Sequence, residues 1–218
     1  MRRALIVGID DYPDAELSGC VNDAKKMCDV LSKNQDGSPN FECRALLAPP
    51  GDVTRVVVRE NVKDLFAYEA EVALLYFSGH GTVNNLGGYI VTQDYEAHDE
   101  GVGMSEILSF ANESKTREAV IILDCCHSGA LGEMPVVKED HSVLRLGVSV
   151  LTASGASQPA VEASGSGGVF TSLVCEALNG GAAMYLERLP LPVFMRMWSR
   201  CLGRGTSGHC LSHTSQDW

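Results

Sequence analysis

Ala119-Val120-Ile121-Ile122-Leu123-Asp124-Cys125-Cys126-His127-Ser128-Gly129 opens as an unbroken apolar run of strand length. The run is rich in β-branched side chains, as a strand buried on both faces of a parallel sheet requires. It then switches abruptly to acidic, thiol, imidazole and small residues. In open α/β sheets, ligands bind in the crevice beyond the carboxyl ends of the strands, so a thiol at this point stands where chemistry is done. A second stretch repeats the design: Val72-Ala73-Leu74-Leu75-Tyr76-Phe77 is followed by Ser78-Gly79-His80-Gly81. Two such strands side by side bring an imidazole and a thiol to one sheet edge, the pairing that nucleophilic catalysis needs. A neighbouring imidazolium also favours the reactive thiolate.

The pattern of the remaining chain fits that sheet. Apolar runs predict further strands over residues 4–9, 41–47 and 146–152, beside those at 71–77 and 118–124. Helical spacing predicts helices over 20–31, 53–68, 103–111 and 169–179, with Asp52 capping the second and Gly180-Gly181 ending the last. Residues 81–88 read as a turn-rich loop, with a short extended piece over 88–92. Residues 130–145 read as a long exposed loop, and 154–168 as a Gly/Ser-rich one. Alternating strands and helices imply an α/β three-layer sandwich with a mostly parallel central sheet. The domain is expected over residues 1–181. Residues 182–218 form a tail that matches neither of the periodicities expected of a closing helix or strand.

Ser78-Gly79-His80-Gly81 followed by Asp124-Cys125-Cys126-His127-Ser128-Gly129 resembles the caspase-like cysteine peptidases, in particular their metacaspase and prokaryotic branch. Animal caspases carry Gln-Ala-Cys at the nucleophile, with the histidine about 50 residues upstream. The order and rough spacing agree here, while the local signature is the metacaspase form. The resemblance implies the caspase-hemoglobinase fold and peptide-bond hydrolysis, with Cys126 as nucleophile and His80 as general acid and base. Consecutive residues leaving a strand point opposite ways, so Cys125 is expected to face the core and His127 to play a supporting part. By resemblance, the backbone N–H groups of Gly81 and Cys126 form the oxyanion site.

Ser18-Gly19-Cys20-Val21-Asn22-Asp23-Ala24 is similar to the metacaspase segment lining the primary specificity pocket. Carried over, the pocket holds Cys20, Asp23, Ser78 and Asp124. Two carboxylates favour Arg or Lys in the substrate rather than Asp. The plainer alternatives are a first-turn carboxylate at a helix N-terminus for Asp23 and a strand-end residue bonding local backbone for Asp124. Lys138 and Arg145 are the basic residues of the 130–145 loop, and self-cleavage there is expected after Lys138. An alternative from another class is a catalytically silent caspase-like interaction module.

Composition narrows the partners. The chain has 218 residues and a formal charge of −11. That balance speaks against nucleic acid and anionic membranes; the resemblance implies protein or peptide substrates. Eight cysteines, two of them adjacent, do not form a spaced disulfide framework, so reduced thiols and a cytoplasmic setting are expected. The apolar run after Met1-Arg2-Arg3 is too short for a signal peptide. No cofactor is required by this chemistry. Asp94, Asp99, Glu100 and Glu106 lie where metacaspases carry a calcium site, but the paired aspartates expected near Met104-Ser105 are missing, so calcium independence is expected. Cys201, His209, Cys210 and His213 follow no standard zinc spacing.

Overall fold

A computed structural model of the chain describes residues 1–96, 99–125, 144–153, 162–163 and 167–181. Five parallel strands form the central sheet in the order β2-β1-β3-β7-β8: β1 (Arg2–Ile9), β2 (Phe41–Ala48), β3 (Val72–Ser78), β7 (Glu118–Asp124) and β8 (Val148–Thr152). Alternation along the strands feeds two cores. Leu5, Val7, Leu75, Phe77, Ile121 and Leu123 face α2 (Arg55–Ala67) and α3 (Met104–Glu113). Ala4, Ile6, Leu74, Tyr76, Val120 and Ile122 face α1 (Cys20–Ser32) and α4 (Val169–Glu176). Both faces of β3 and β7 are therefore apolar because both are covered, the three-layer arrangement expected from the sequence.

Gly8 sets how closely α1 lies on the sheet. A Cβ at that position would fall 2.6 Å from Ala24 Cβ and 2.7 Å from the Cys20 carbonyl, so only glycine admits this approach. The start of α1 is fixed from β1 as well. The Asp10 carboxylate accepts from Cys20 N at 2.8 Å and Val21 N at 3.3 Å, two of the donors a helix N-terminus leaves unpaired.

Three sequence expectations are corrected. Residues 81–88 are not a loop, and the extended piece over 88–92 is part of a longer strand: an antiparallel sheet forms from β4 (Gly81–Asn84), β5 (Gly87–Glu96) and β6 (Asp99–Gly103). Their glycines and carboxylates hide the period-2 pattern. The second helix is capped by Thr54, whose side chain accepts from Val57 N at 3.4 Å, and not by Asp52. Val53 is instead a buried residue bonded through its N–H to Gln93. The last helix ends at Glu176 and continues as one π-helical turn, Ala177–Gly181, with Gly180 left-handed at φ 97°. Residues 162–163 and 167–168 form a two-stranded antiparallel pair, β9 and β10, leading into α4. The tail 182–218, with Cys201, His209, Cys210 and His213, and most of the 130–145 loop, with Lys138, lie outside the described residues. Among the described residues, no helix is long and apolar enough to cross a membrane.

Candidate active site

The sheet register brings the two motif strands to one edge. Ser78, last in β3, lies level with Asp124, last in β7, and with Gly8 of β1. The chain leaves β3 through Gly79, whose N–H reaches the Asp124 carbonyl at 3.4 Å. His80 follows directly, beyond the carboxyl ends of the strands.

His80 is held at three points. Its ring Nε2 lies 2.8 Å from the carbonyl oxygen of Ala15. A carbonyl only accepts, so Nε2 carries the hydrogen and Nδ1 keeps the lone pair. The backbone N–H of His80 donates to the Tyr12 hydroxyl at 3.0 Å, and that hydroxyl donates to the Val91 carbonyl at 3.1 Å. The Tyr12 ring flanks the imidazole at a centroid distance of 4.7 Å. Burial drives the Tyr12 phenol far above its ordinary pKa, so it stays a hydrogen-bond donor. Ala15 and Tyr12 both belong to the segment after β1. A backbone carbonyl has no side-chain signature, and Tyr12 reads from sequence as part of a polar turn, so neither partner is visible before folding.

Cys125 follows Asp124 and is buried in the α2–α3 core, 1% exposed, as alternation expects. Cys126 and His127 lie outside the described residues. Gly81 opens β4 opposite Ile90.

The remaining predicted residues gather on the α1–α4 face. Ser78 and Asp124 share the strand face of Tyr76, and Cys20 and Asp23 come from the first turn of α1. Cys20, Asp23 and Ser78 are all buried, and Asp124 is half-buried. Asp23 Oδ1 pairs with Lys26 Nζ at 3.2 Å, and its Oδ2 accepts from Gly168 N at 2.5 Å. Asp124 Oδ2 accepts from the Thr171 hydroxyl at 2.6 Å. A Cβ placed on Gly168 would stand 2.5 Å from Asp124 Oδ2 and 3.2 Å from Asp23 Oδ2. Carboxylates 101 positions apart in sequence thus converge on one glycine.

The caspase domain family matches residues 1–196 of the chain. The chain belongs to this family. Metacaspase-2 of Trypanosoma brucei brucei is 29% identical over 156 residues, covering 61% of this chain and 43% of that protein. Metacaspase-1A of Neurospora crassa is 25% identical over 239 residues, covering 91% of this chain and 49% of that protein. The chain therefore spans about half the length of the curated relatives it matches. Among solved structures, Caspase-1 from Spodoptera frugiperda superposes with a TM-score of 0.59 at 13% identity, covering 82% of this chain and 69% of that one. A Geobacter sulfurreducens protein superposes with a TM-score of 0.61 at 15% identity, covering 88% and 90%. At these identities the superpositions speak for the fold, and the fold is that of a caspase. Membership supports a cysteine peptidase; which bonds such an enzyme cuts is a matter for the pocket residues.

The acidic residues expected by resemblance to lie in a calcium region each have protein partners. Asp94 accepts from Arg55 N and the Thr92 hydroxyl, Asp99 pairs with Arg55, Glu106 with Arg59, and Glu100 accepts from Asn84.

Proposed function

We propose that the chain is a cysteine endopeptidase cleaving after Arg or Lys, with Cys126 as nucleophile and His80 as general acid and base. The observation that carries the reading is the bond from His80 Nε2 to the Ala15 carbonyl. It leaves Nδ1 as the acceptor, on a residue that follows Gly79, whose N–H reaches the Asp124 carbonyl at the end of β7. The thiol proton passes to Nδ1 and the thiolate attacks the scissile carbonyl carbon. The oxyanion is met by the N–H groups of Gly81 and Cys126. The C–N bond then breaks as the imidazolium protonates the leaving amine, and water, deprotonated by the same imidazole, hydrolyses the thioester.

Specificity for a cationic side chain is supported by Asp23 and Asp124 meeting at Gly168. Arg suits two carboxylates bidentately and Lys as a point charge. An Asp side chain brought there would add a third negative charge.

The test uses the full chain with fluorogenic peptides ending in Arg, Lys or Asp, and an Arg-chloromethylketone probe. Hydrolysis after Arg or Lys and labelling at Cys126, both lost in Cys126→Ala, are expected. Preference for Asp would overturn the specificity, and an unlabelled thiol would favour the silent interaction module.

A further inference from the structure

Between the acidic pair and the sheet lies a buried hydroxyl relay that the catalytic scheme does not use. Thr171, fully buried in the first turn of α4, donates to Asp124 Oδ2 at 2.6 Å. The Tyr76 hydroxyl lies 2.6 Å from the same Thr171 oxygen. Thr171 has a single hydroxyl hydrogen, and the carboxylate, an acceptor only, takes it. Tyr76 must therefore donate to Thr171. The relay ends on a charge, where hydrogen bonds are strongest.

The same turn of backbone holds the second carboxylate. Gly168, at the start of α4, donates its N–H to Asp23 Oδ2. Two negative groups at one glycine repel each other, and Lys26 offsets part of that charge by pairing with Asp23 Oδ1. One turn, residues 168–171, ties both down, Asp23 by main chain and Asp124 by side chain. A Cβ on Gly168 would clash with Asp124 Oδ2 and press on Asp23 Oδ2, so a substituent there would shift the acidic pair.

We propose that Thr171 is a positioning residue for substrate selection: its hydroxyl aims the Asp124 carboxylate so that, with Asp23, it distinguishes a cationic substrate side chain from a neutral one of the same shape. The proposal rests on the basic-pocket reading above. Thr171 does not touch the reacting atoms, so its loss acts on recognition and spares the chemical step.

The readout is the ratio of kcat/KM for a peptide ending in Arg to that for its citrulline counterpart, a neutral isostere. Rates are normalised to thiol titrated by a small iodoacetamide-type reagent. In Thr171→Val the ratio is expected to fall about 10-fold through a raised KM for Arg, with kcat within about two-fold of wild type. Thr171→Ser restores the ratio. Tyr76→Phe, which removes only the upstream donor, lowers it by a smaller factor and carries the same test should Thr171→Val fold poorly. A defect that is merely structural lowers both substrates alike and leaves the ratio unchanged, which would overturn the role of Thr171. A wild type that does not prefer Arg to citrulline would remove the basic-pocket reading itself, and the positioning role with it.

Discussion

His80 points its Nε2 at the main-chain carbonyl of Ala15, 2.8 Å away, and so fixes its own tautomer. An acidic third member is unnecessary for this, since a carbonyl orients the ring without adding charge. The cost is that ring position depends on how the segment after β1 is held, and Tyr12 ties that segment directly to His80 and Val91.

Tyr12→Phe removes a hydroxyl that accepts from His80 N and donates to Val91 O. Both partners are left short of a bond in a buried site, at roughly 1–3 kcal/mol. We expect a lower melting temperature and kcat reduced about 10-fold, with KM nearly unchanged. Equal kcat in the two proteins would show that the imidazole does not depend on Tyr12.

The adjacent thiols should behave oppositely. Cys125 sits in the apolar core at 1% exposure, where a thiol is a small hydrophobe. Cys125→Ala should cost about 1 kcal/mol of stability and keep hydrolysis and iodoacetamide labelling within a few-fold of wild type. Cys126→Ala should abolish both. Mapping the labelled peptide by mass spectrometry decides the matter, and a label on Cys125 would reverse the assignment.

The parallel strands β1, β3 and β7 were legible because burial on both faces leaves a nearly continuous apolar run. The β4–β6 sheet was not, since Gly81, Gly87, Gly101 and Gly103 occupy positions where alternation would show, and its pairing is set by tertiary register. Residues 20, 23, 78 and 124 were expected to form a pocket through motif resemblance, and the structure gathers them at the α1–α4 side of the sheet. Thr171 was invisible because it occupies an ordinary helical turn. Its one outward sign is the run Gly167-Gly168-Val169-Phe170-Thr171, where paired glycines precede a hydroxyl. Asp52 is the better cap by residue type; the burial of Val53 decided for Thr54.

Alkaline pH should unfold the protein early. Burial pushes the Cys43 thiol up to about 12, with Cys28 adding to the rise, and the Cys175 thiol up to about 11, with Asp23 adding to it. A raised folded-state value means the native protein keeps protons that the unfolded chain releases. Stability from these groups is fully present below pH 9 and is lost as pH rises through 11 to 12. Tyr12 and Tyr76, also raised by burial, add to the loss with the same sign. Melting temperature should therefore fall above pH 9, and less steeply in Cys43→Ala. A profile that is flat there would contradict the burial of these groups.

Arg145 should resist self-cleavage although it is basic and adjoins the loop. Its guanidinium donates to the carbonyls of Ala111, Leu146 and Thr116 and to Ser114 Oγ, and its N–H to Asn112. Entering a cleft would break all of these. Mass spectrometry of wild type beside Cys126→Ala should show cleavage after Lys138 and none after Arg145; identical masses would remove self-cleavage. Arg145→Ala should cost roughly 2–3 kcal/mol by orphaning those carbonyls.

Calcium should leave the rate unchanged, and the reason is stoichiometric. The ion needs about six to eight oxygen ligands, and the carboxylates of the 94–106 region already serve protein donors. Arg55 engages Asp94 through its N–H and Asp99 through its guanidinium, and Arg59 holds Glu106. A calcium ion would have to displace two guanidinium groups and rebuild α2's contact with the small sheet. Among the described residues no cluster of three or more such ligands faces one point. Hydrolysis of an Arg-ending peptide should therefore agree within about two-fold between millimolar calcium and EGTA, a difference of under 1 kcal/mol. Arg55→Ala, which frees Asp99 while the backbone N–H at position 55 still serves Asp94, should lower stability without creating a calcium response. A many-fold activation of wild type by calcium would place the ion's ligands elsewhere in the chain and overturn the argument from Arg55 and Arg59.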